Sequence, residues 1–589
     1  MYCLGISHDL WISSAALTED GAVIGAICEE RLNRIKRCKR FPIKAVDACL
    51  EMAGIEVGEL DLIVSGWNPV HHLESLHPRF SETARWRAEY LYAVPNYILQ
   101  RASPFPTGEV EERFSGFRAS IVHMDHQVAH AANAYYLSPF EEAAFFTADG
   151  RGERHTSMWG VATPDSIEPM GGTLYPHSMG LFYGMITQFL GFRPDSDEWK
   201  VMALGSYAPR GGRYDRLLRD MVELGSEADF RLDLSMCGFS EPDVYGGKFW
   251  TPDFERAVAL EPREPGGEIT DDHRALASAM QRVFEEVLTS CLRSVHEVTR
   301  QEVVVLGGGC MMNSVFNGKV TRLTPFTRAF VSSCPDDSGV SVGAALWVYH
   351  VHGKGRMRPM HHHNYWGPGF DGEIQDTLEK FKIPYRRSED APREAARLIA
   401  EGRLVGWFQG RMEFGQRALG NRSILADPRR LETKDLVNLA VKYRESFRPF
   451  APAILAERTM DWFETDSGDV PFMERVYMFR DEMKDKVPAV VHVDGSGRLQ
   501  TVRREDNARF YMLIEAFEAA TGVPIVLNTS FNLNGEPIVC SPTDAIRTFY
   551  SCGLDCLFLG DFLGEKGGIE PDLLAASELE ASGAAGRTG

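Results

Sequence analysis

The sequence predicts an α/β protein built in more than one unit, and three observations carry that expectation. The chain has 589 residues, well past the roughly 250–300 at which a single core stops growing. Apolar strand-like runs alternate with helical stretches along its length. Two of those runs open in the same way, as an apolar strand leading into a turn and a second strand, which predicts a duplicated unit.

Taken in order, YCLGIS from Tyr2 is an apolar strand, and SSAALTEDGAVIGAI alternates about the turn signal Glu19-Asp20-Gly21. A hairpin opening a chain suits an actin-like ATPase fold. HQVAHAANAYYLSPF from His126 has helical spacing, with small residues that allow close packing. EAAFFTADGRGERHTSMWGVA repeats the opening plan and carries Asp149 in its Gly-rich turn. ALASAMQRVFEEVLTSCLRSVHEVT is a long amphipathic helix that leads into EVVVLGGGCMMNSVFNGKV, a buried strand, a Gly-rich turn and a helix. DDSGVSVGAALWVYH, after Pro335, gives another turn and helix. VHGKGRMRPMHHHNYWGPGF breaks the periodicity, which places a linker over 351–368, with the histidines at 361–363 on its surface. LIAEGRLVGWFQGRMEFGQRALGNRSIL begins a second α/β unit that ends near GLDCLFLGDFLGEK, and LLAASELEASGAAGRTG reads as a frayed tail. The expected divisions are therefore 1–350, 351–368, 369–570 and 571–589.

Composition narrows the function. An apolar content of 44% with 25% charged residues is ordinary for a soluble enzyme. No window approaches the roughly 18 apolar residues of a membrane span, so no membrane partner is expected. MYCLGISHDLW has no basic leader and no long apolar core, and it reads as a mature, cytoplasmic start. Eleven cysteines without a CxxC pair argue against a disulfide framework or a zinc ribbon and read mostly as buried thiols. A net charge of −20 repels phosphate backbones, which excludes a nucleic-acid partner unless a basic surface is strongly localised. Against that background, ten Lys or Arg stand between Arg403 and Arg448 with only five acids.

His126 and His130 share one helix face and together can bind a metal; the alternative is two ordinary helix histidines. Asp149 in TADGRG and Asp337 in PDDSG stand where site carboxylates belong, or else cap turns. Two His with one or two Asp and open positions suit Fe(II), Mn(II) or catalytic Zn(II). The LGGGC turn, Leu306 to Cys310, offers backbone NH groups to a phosphate or ribose, or is only a tight strand-to-helix turn. Arg417 and Arg422 flank the QRALGNR turn, while Lys442, Arg444 and Arg448 lie in VKYRESFRPFAPAI. Guanidinium forks grip phosphate oxygens bidentately and Lys adds a point charge, so a small phosphorylated substrate is the expected guest. VDGSGRLQTVRRE adds Arg498. Asn528, Thr529, Ser530 and Asn532 follow an apolar strand and either hold a neutral carbamoyl head or form a polar turn.

These motifs, in their order, resemble the O-carbamoyltransferase family of antibiotic-tailoring and nodulation enzymes. The stretches that carry the resemblance are EFGQRALGNRSILADPR, VKYRESFRPFAPAI, VDGSGRLQTV, PIVLNTSFNLNGEPIVCSPTDA and, in the N-terminal half, HQVAHAANAYYLSPF, PHSMGLFYGMITQFLGF, EWKVMALGSY, GGGCMMNSVFNGK and DDSGVSVGAALW. The resemblance covers nearly the whole chain. It implies a duplicated actin-like (ASKHA) domain followed by a YrdC-like α/β domain. The second would form carbamoyladenylate from carbamoyl phosphate and ATP, with Mg(II) accompanying the ATP. The first would pass the carbamoyl group to a hydroxyl of a small natural product. Residue by residue, it implies that Arg417, Lys442, Arg498, Asn528 and Ser530 bind carbamoyl phosphate or ATP, with Arg422 and Thr529 beside them. His126, His130, Asp149 and Asp337 would hold a metal, Fe(II) first, and Gly307, Gly308, Gly309 and Asn313 would border the adenylate. Where the family carries His-Asp before SAAL, this chain has Trp11-Ile12, with His8-Asp9 upstream; His8 is either the general base or a structural histidine. A tRNA threonylcarbamoyl-modifying enzyme and an actin-like sugar kinase are the competing readings, and a homo-oligomer is compatible with all of them. The Trp-, Tyr- and His-rich stretch from Ser65 either shapes an acceptor pocket or packs a helical hairpin.

Overall fold

The computed structural model describes residues 1–8, 11–68, 121–208, 211–240, 247–445 and 447–566. The first sheet contains β1 (Tyr2–Ser7), β2 (Ser14–Glu19), β3 (Ala22–Cys28), β4 (Leu62–Ser65) and β5 (Ile121–His123), in the order β3-β2-β1-β4-β5. β1, β2 and β3 run antiparallel, and β4 and β5 continue parallel to β1. The second sheet contains β6 (Ala143–Ala148), β7 (His155–Thr163) and β8 (Ser166–Leu174). After a short ribbon of β9 (Val222–Leu224) and β10 (Phe230–Leu232) it is completed by β11 (Val303–Gly307) and β12 (Arg328–Val331). Its order, β8-β7-β6-β11-β12, repeats the first sheet strand for strand, with the same antiparallel and parallel pairings. The two similar hairpins thus open two copies of one sheet plan. β8 is the strand the sequence did not announce, because Pro169, Gly171 and Gly172 read as breakers; the sheet edge tolerates them.

The helices His126–Tyr136 and Val340–Trp347 pack on each other. At Gly343 the approach is backbone to backbone, since a Cβ there would stand 2.0 Å from the Ala129 carbonyl oxygen. That crossing carries Asp337, just ahead of its helix, onto the face that bears His126 and His130. Asp125 caps the histidine helix by accepting from the Gln127 and Val128 amides.

The remaining strands form one ten-stranded sheet: β13 (Arg386–Arg387), β14 (Val405–Phe408), β15 (Arg422–Ala426), β16 (Ala451–Leu455), β17 (Phe463–Glu464), β18 (Arg475–Phe479), β19 (Ser496–Val502), β20 (Ile525–Ser530), β21 (Cys556–Leu559) and β22 (Phe562–Glu565). The order is β13-β22-β21-β14-β15-β20-β16-β19-β18-β17. This sheet is tied to the first two by a seam. Arg34 donates to the Pro537 and Ile538 carbonyls at 2.8 and 2.6 Å, and Asn317 donates to the Glu474 carbonyl at 2.9 Å. Gly318 presses on β18 so closely that a Cβ would lie 2.2 Å from the Val476 carbonyl oxygen. Leu4, Ile6 and Leu17 share a buried cluster with Met412, Ala418 and Ile538.

Residues 353–370 hold no helix or strand, yet the segment is anchored: Asn364 and Trp366 are buried, and Arg358 donates to the Ser138 carbonyl at 2.8 Å. Of the three histidines expected on the surface, His362 and His363 are exposed, but His361 packs edge-on to Trp366, and burial pushes its pKa down to about 4. All eleven cysteines are unpaired, and all but Cys552 are buried. Among the described residues no helix is long and apolar enough to cross a membrane. Most of the aromatic stretch that begins at Ser65, together with Asp9 and the tail 571–589, lies outside the described residues.

Candidate functional site

His126, His130, Asp149 and Asp337 converge so that one ligand atom from each lies within 4.8 Å of all the others. His126 Nε2 stands 3.1 Å from His130 Nε2, 3.1 Å from Asp149 Oδ2 and 3.4 Å from Asp337 Oδ1. His130 Nε2 stands 3.4 and 3.5 Å from the same two oxygens. An ion bonded at roughly 2.1 Å to N and O ligands sets adjacent ligands about 3.0 Å apart in an octahedron and about 3.4 Å apart in a tetrahedron, so the quartet fits a metal. The outer contacts also fit. Asp149 Oδ1 accepts from the Gly309 amide at 3.1 Å, Asp337 Oδ2 accepts from the Trp11 amide at 2.9 Å, and His126 Nδ1 faces the Gly66 carbonyl at 3.3 Å. Each of these contacts leaves the partner atom aimed inward, as ligands require. Burial alone would lower the His126 pKa, but the Asp149 and Asp337 carboxylates override it and hold it well above the usual value. Gathering two carboxylates and two imidazoles this closely is the arrangement that a cation stabilises.

Asp149 and Asp337 open onto a cavity of about 1280 Å³, part of whose wall comes from the ten-stranded sheet and its loops. Arg417, Lys442, Arg444 and Arg448 line that wall, and Lys36 joins them from the other side of the seam. Among the described residues, none of Lys36, Arg417, Lys442, Arg444 and Arg498 forms a salt bridge; only Arg448 reaches a carboxylate, Glu445, at 3.3 Å. Lys442 Nζ is held by oxygens of Ser530 and Asn532, with Asn532 Oδ1 at 2.8 Å. Burial, reinforced by Arg444, Arg448 and Lys36, holds the Lys442 ammonium well below its usual pKa. Burial and the charges of Arg417, Arg444 and Arg448 do the same to Arg498, and burial pushes Arg417 down to about 10. Buried, mutually repelling cations are the arrangement that a bound anion would stabilise.

The structure brings His8, Asp149, Asp337, Gly309, Asn313, Arg417, Lys442 and Ser530 to this one cavity. Arg498 stands behind the lining, within electrostatic reach of it. Other expectations need correction. Arg422 is fully buried, stacks 3.7 Å above Phe408, and points its donors at the Cys540, Gln409, Asn421, Gly410 and Pro368 carbonyls, so it has none left for a phosphate. Asn528 lies within β20 rather than after it, and its amide donates to the Ala418 carbonyl and to Gln500 Oε1. Thr529 also belongs to β20 and does not line the cavity. Gly307 and Gly308 press on the histidine helix and on the end of β6 instead of lining the cavity: Cβ atoms there would stand 2.7 Å from the His130 carbonyl oxygen and 2.2 Å from that of Ala148. Asn313 caps the Phe316 amide and pairs with Gln281 through both amide atoms. His8 reaches the cavity with its ring edge-on to Phe41. Lys36 was missed, and its signal was available: Arg31, Arg34, Lys36, Arg37, Lys39 and Arg40 form a basic run that reads as a solvated face until the fold turns it inward.

Two family models together match most of the chain. The model described as "Carbamoyltransferase N-terminus" matches residues 2–346, and "Carbamoyltransferase C-terminus" matches residues 396–566. An uncharacterized protein of Synechocystis sp. is 34% identical over 608 residues, spanning 96% of this chain and 97% of that protein. Nodulation protein NolNO of Sinorhizobium fredii is 35% identical, spanning 96% of this chain and 80% of its own length. The 3'-hydroxymethylcephem-O-carbamoyltransferase of Amycolatopsis lactamdurans is 33% identical over 76% of this chain and 81% of that protein.

Proposed function

We propose, for a chain that belongs to the carbamoyltransferase family and is a transferase, an ATP-dependent O-carbamoylation in two stages within one cavity. In the first stage carbamoyl phosphate, water and ATP give carbamoyladenylate, pyrophosphate and phosphate. In the second the carbamoyl group moves from the adenylate to a hydroxyl of a small natural product, and AMP leaves. The first two sheets read as a duplicated actin-like unit over 1–350, and the ten-stranded sheet reads as a YrdC-like unit over 369–570.

The observation that carries this reading is a group of cations, Arg417, Lys442, Arg444 and Lys36 without a salt bridge among the described residues and Arg448 paired only with Glu445, lining the same cavity as Asp149 and Asp337 of the four-ligand cluster. Carbamoyl phosphate and ATP are both polyanions, and meeting costs them Coulomb repulsion. Arg417, Lys442, Arg444, Arg448 and Lys36 offset that repulsion and stabilise the charge that builds as the carbamate oxygen attacks the α-phosphorus. Ser530 and Asn532 hold the Lys442 ammonium in place, so its charge needs no reorganisation during the reaction. Gly309 and Asn313 border the adenylate. His126, His130, Asp149 and Asp337 would hold Fe(II), with Mn(II) or Zn(II) as alternatives. That ion would supply positive charge to the adenylate phosphate as it becomes a leaving group.

The test is pyrophosphate release from ATP with and without carbamoyl phosphate, no acceptor being added. Release that requires carbamoyl phosphate is the expected result. Release without it, or ADP in place of AMP, would overturn the reading in favour of a kinase.

A further inference from the structure

Trp11 lines the cavity beside Asp337, and the structure records what its indole does. Its Nε1 donates to the Asp195 carbonyl while its backbone amide donates to the metal-side carboxylate of Asp337. Arg37 holds the next residue, Ser196, through its hydroxyl. Asp195 is thus fixed in the cavity wall through its own carbonyl and through Ser196. Its φ is 56°, a left-handed conformation that non-glycine residues rarely hold. Its carboxylate lies on the cavity, open to it, and neither accepts a hydrogen bond nor forms a salt bridge among the described residues. His8, the other candidate, has its ring packed against Phe41 and is 5% exposed.

We infer that the Asp195 carboxylate binds the acceptor hydroxyl and takes its proton during transfer. The inference rests on the two-stage reading above. As the acceptor oxygen bonds to the carbamoyl carbon, its hydrogen passes to Asp195, and the bond from that carbon to the adenylate phosphate oxygen breaks. AMP leaves with the electron pair, and Asp195 later returns the proton to solvent. A carboxylate suits this role because it is a pure acceptor when ionised and can anchor a neutral O–H without competing for the anion site. Burial raises its proton affinity; Arg151 and Lys39 oppose that, and Asp149 and Asp337 add to it.

The test supplies synthetic carbamoyladenylate to the metal-loaded protein and offers two nucleophiles, water and hydroxylamine. Water must lose a proton to attack, whereas neutral hydroxylamine attacks through its amine and gives hydroxyurea. The readout is the ratio of AMP release to water over hydroxyurea formation. Asp195→Asn should lower that ratio by about 100-fold and remove the rise of the water rate with pH. Asp195→Glu, which keeps the carboxylate, should recover part of both. Equal loss toward both nucleophiles, an unchanged ratio, or a pH rise that vanishes with His8→Gln and survives Asp195→Asn would each overturn the inference. Supplying the adenylate directly keeps this outcome separate from the first stage, which pyrophosphate release measures.

Discussion

Arg417 and Arg422 sit in one short motif and have separate fates. Arg417 opens onto the cavity without a carboxylate partner, while Arg422 is consumed by five backbone carbonyls. Arg417→Ala should therefore abolish pyrophosphate release while leaving a folded protein that still uses supplied carbamoyladenylate; equal loss of both stages would contradict the division between the two walls. Arg422→Lys should instead act on stability, because an ammonium cannot reproduce a planar fork and leaves buried carbonyls unpaired. A loss on the order of 3 kcal/mol is expected by denaturant unfolding. His130→Ala should spare carbamoyl-phosphate-dependent pyrophosphate release, block transfer and lower the metal content measured on the purified protein. Transfer at the normal rate by a metal-free variant would refute the role given to the quartet.

At the scale of elements, the turn after β11 shows how backbone shape serves the cluster. Gly308 has φ 90° and lies against the Ala148 carbonyl, immediately before Asp149. Gly308→Ala should destabilise by about 1–3 kcal/mol through backbone strain alone. It should also weaken metal retention, because the same turn places the Gly309 amide on Asp149. Thermal unfolding and metal content measured together check both expectations. Legibility in the sequence follows the same physics. The paired hairpins could be read because half-buried strands alternate and their turns carry Asp and Gly. The convergence of the four candidate ligands could be read because the i, i+4 spacing puts His126 and His130 on one face, and Asp149 and Asp337 stand in turns ahead of or after regular elements. Asn528 was misread because a polar residue inside a strand looks like a turn until its partners, Ala418 and Gln500, arrive from distant segments. Asp195 gave no local signal, since its position depends on Trp11 and Arg37, far away in sequence.

Over the whole molecule, the cation wall ties stability to solution conditions. The Lys442 ammonium is held well below its usual pKa by burial and by Arg444, Arg448 and Lys36. An unfolded lysine keeps its proton to about pH 10.4, whereas the folded one releases it earlier. Between the two values the unfolded chain binds more protons, so raising the pH should stabilise the fold, and Lys442→Met should flatten that rise. Anions should act in the same direction: pyrophosphate at 100 times its dissociation constant should add about 2.7 kcal/mol to the unfolding free energy. Scanning calorimetry with sulfate as a control separates this from a general salt effect. The seam where Gly318 meets Val476 and Arg34 meets the Pro537 and Ile538 carbonyls constrains heredity as well as shape. A graft that joins the first two sheets of one relative to the large sheet of another inherits a fitted joint from neither parent. Such hybrids should unfold at lower temperature unless both sides of that joint are transplanted together, so the two halves should behave as a matched pair and not as exchangeable modules.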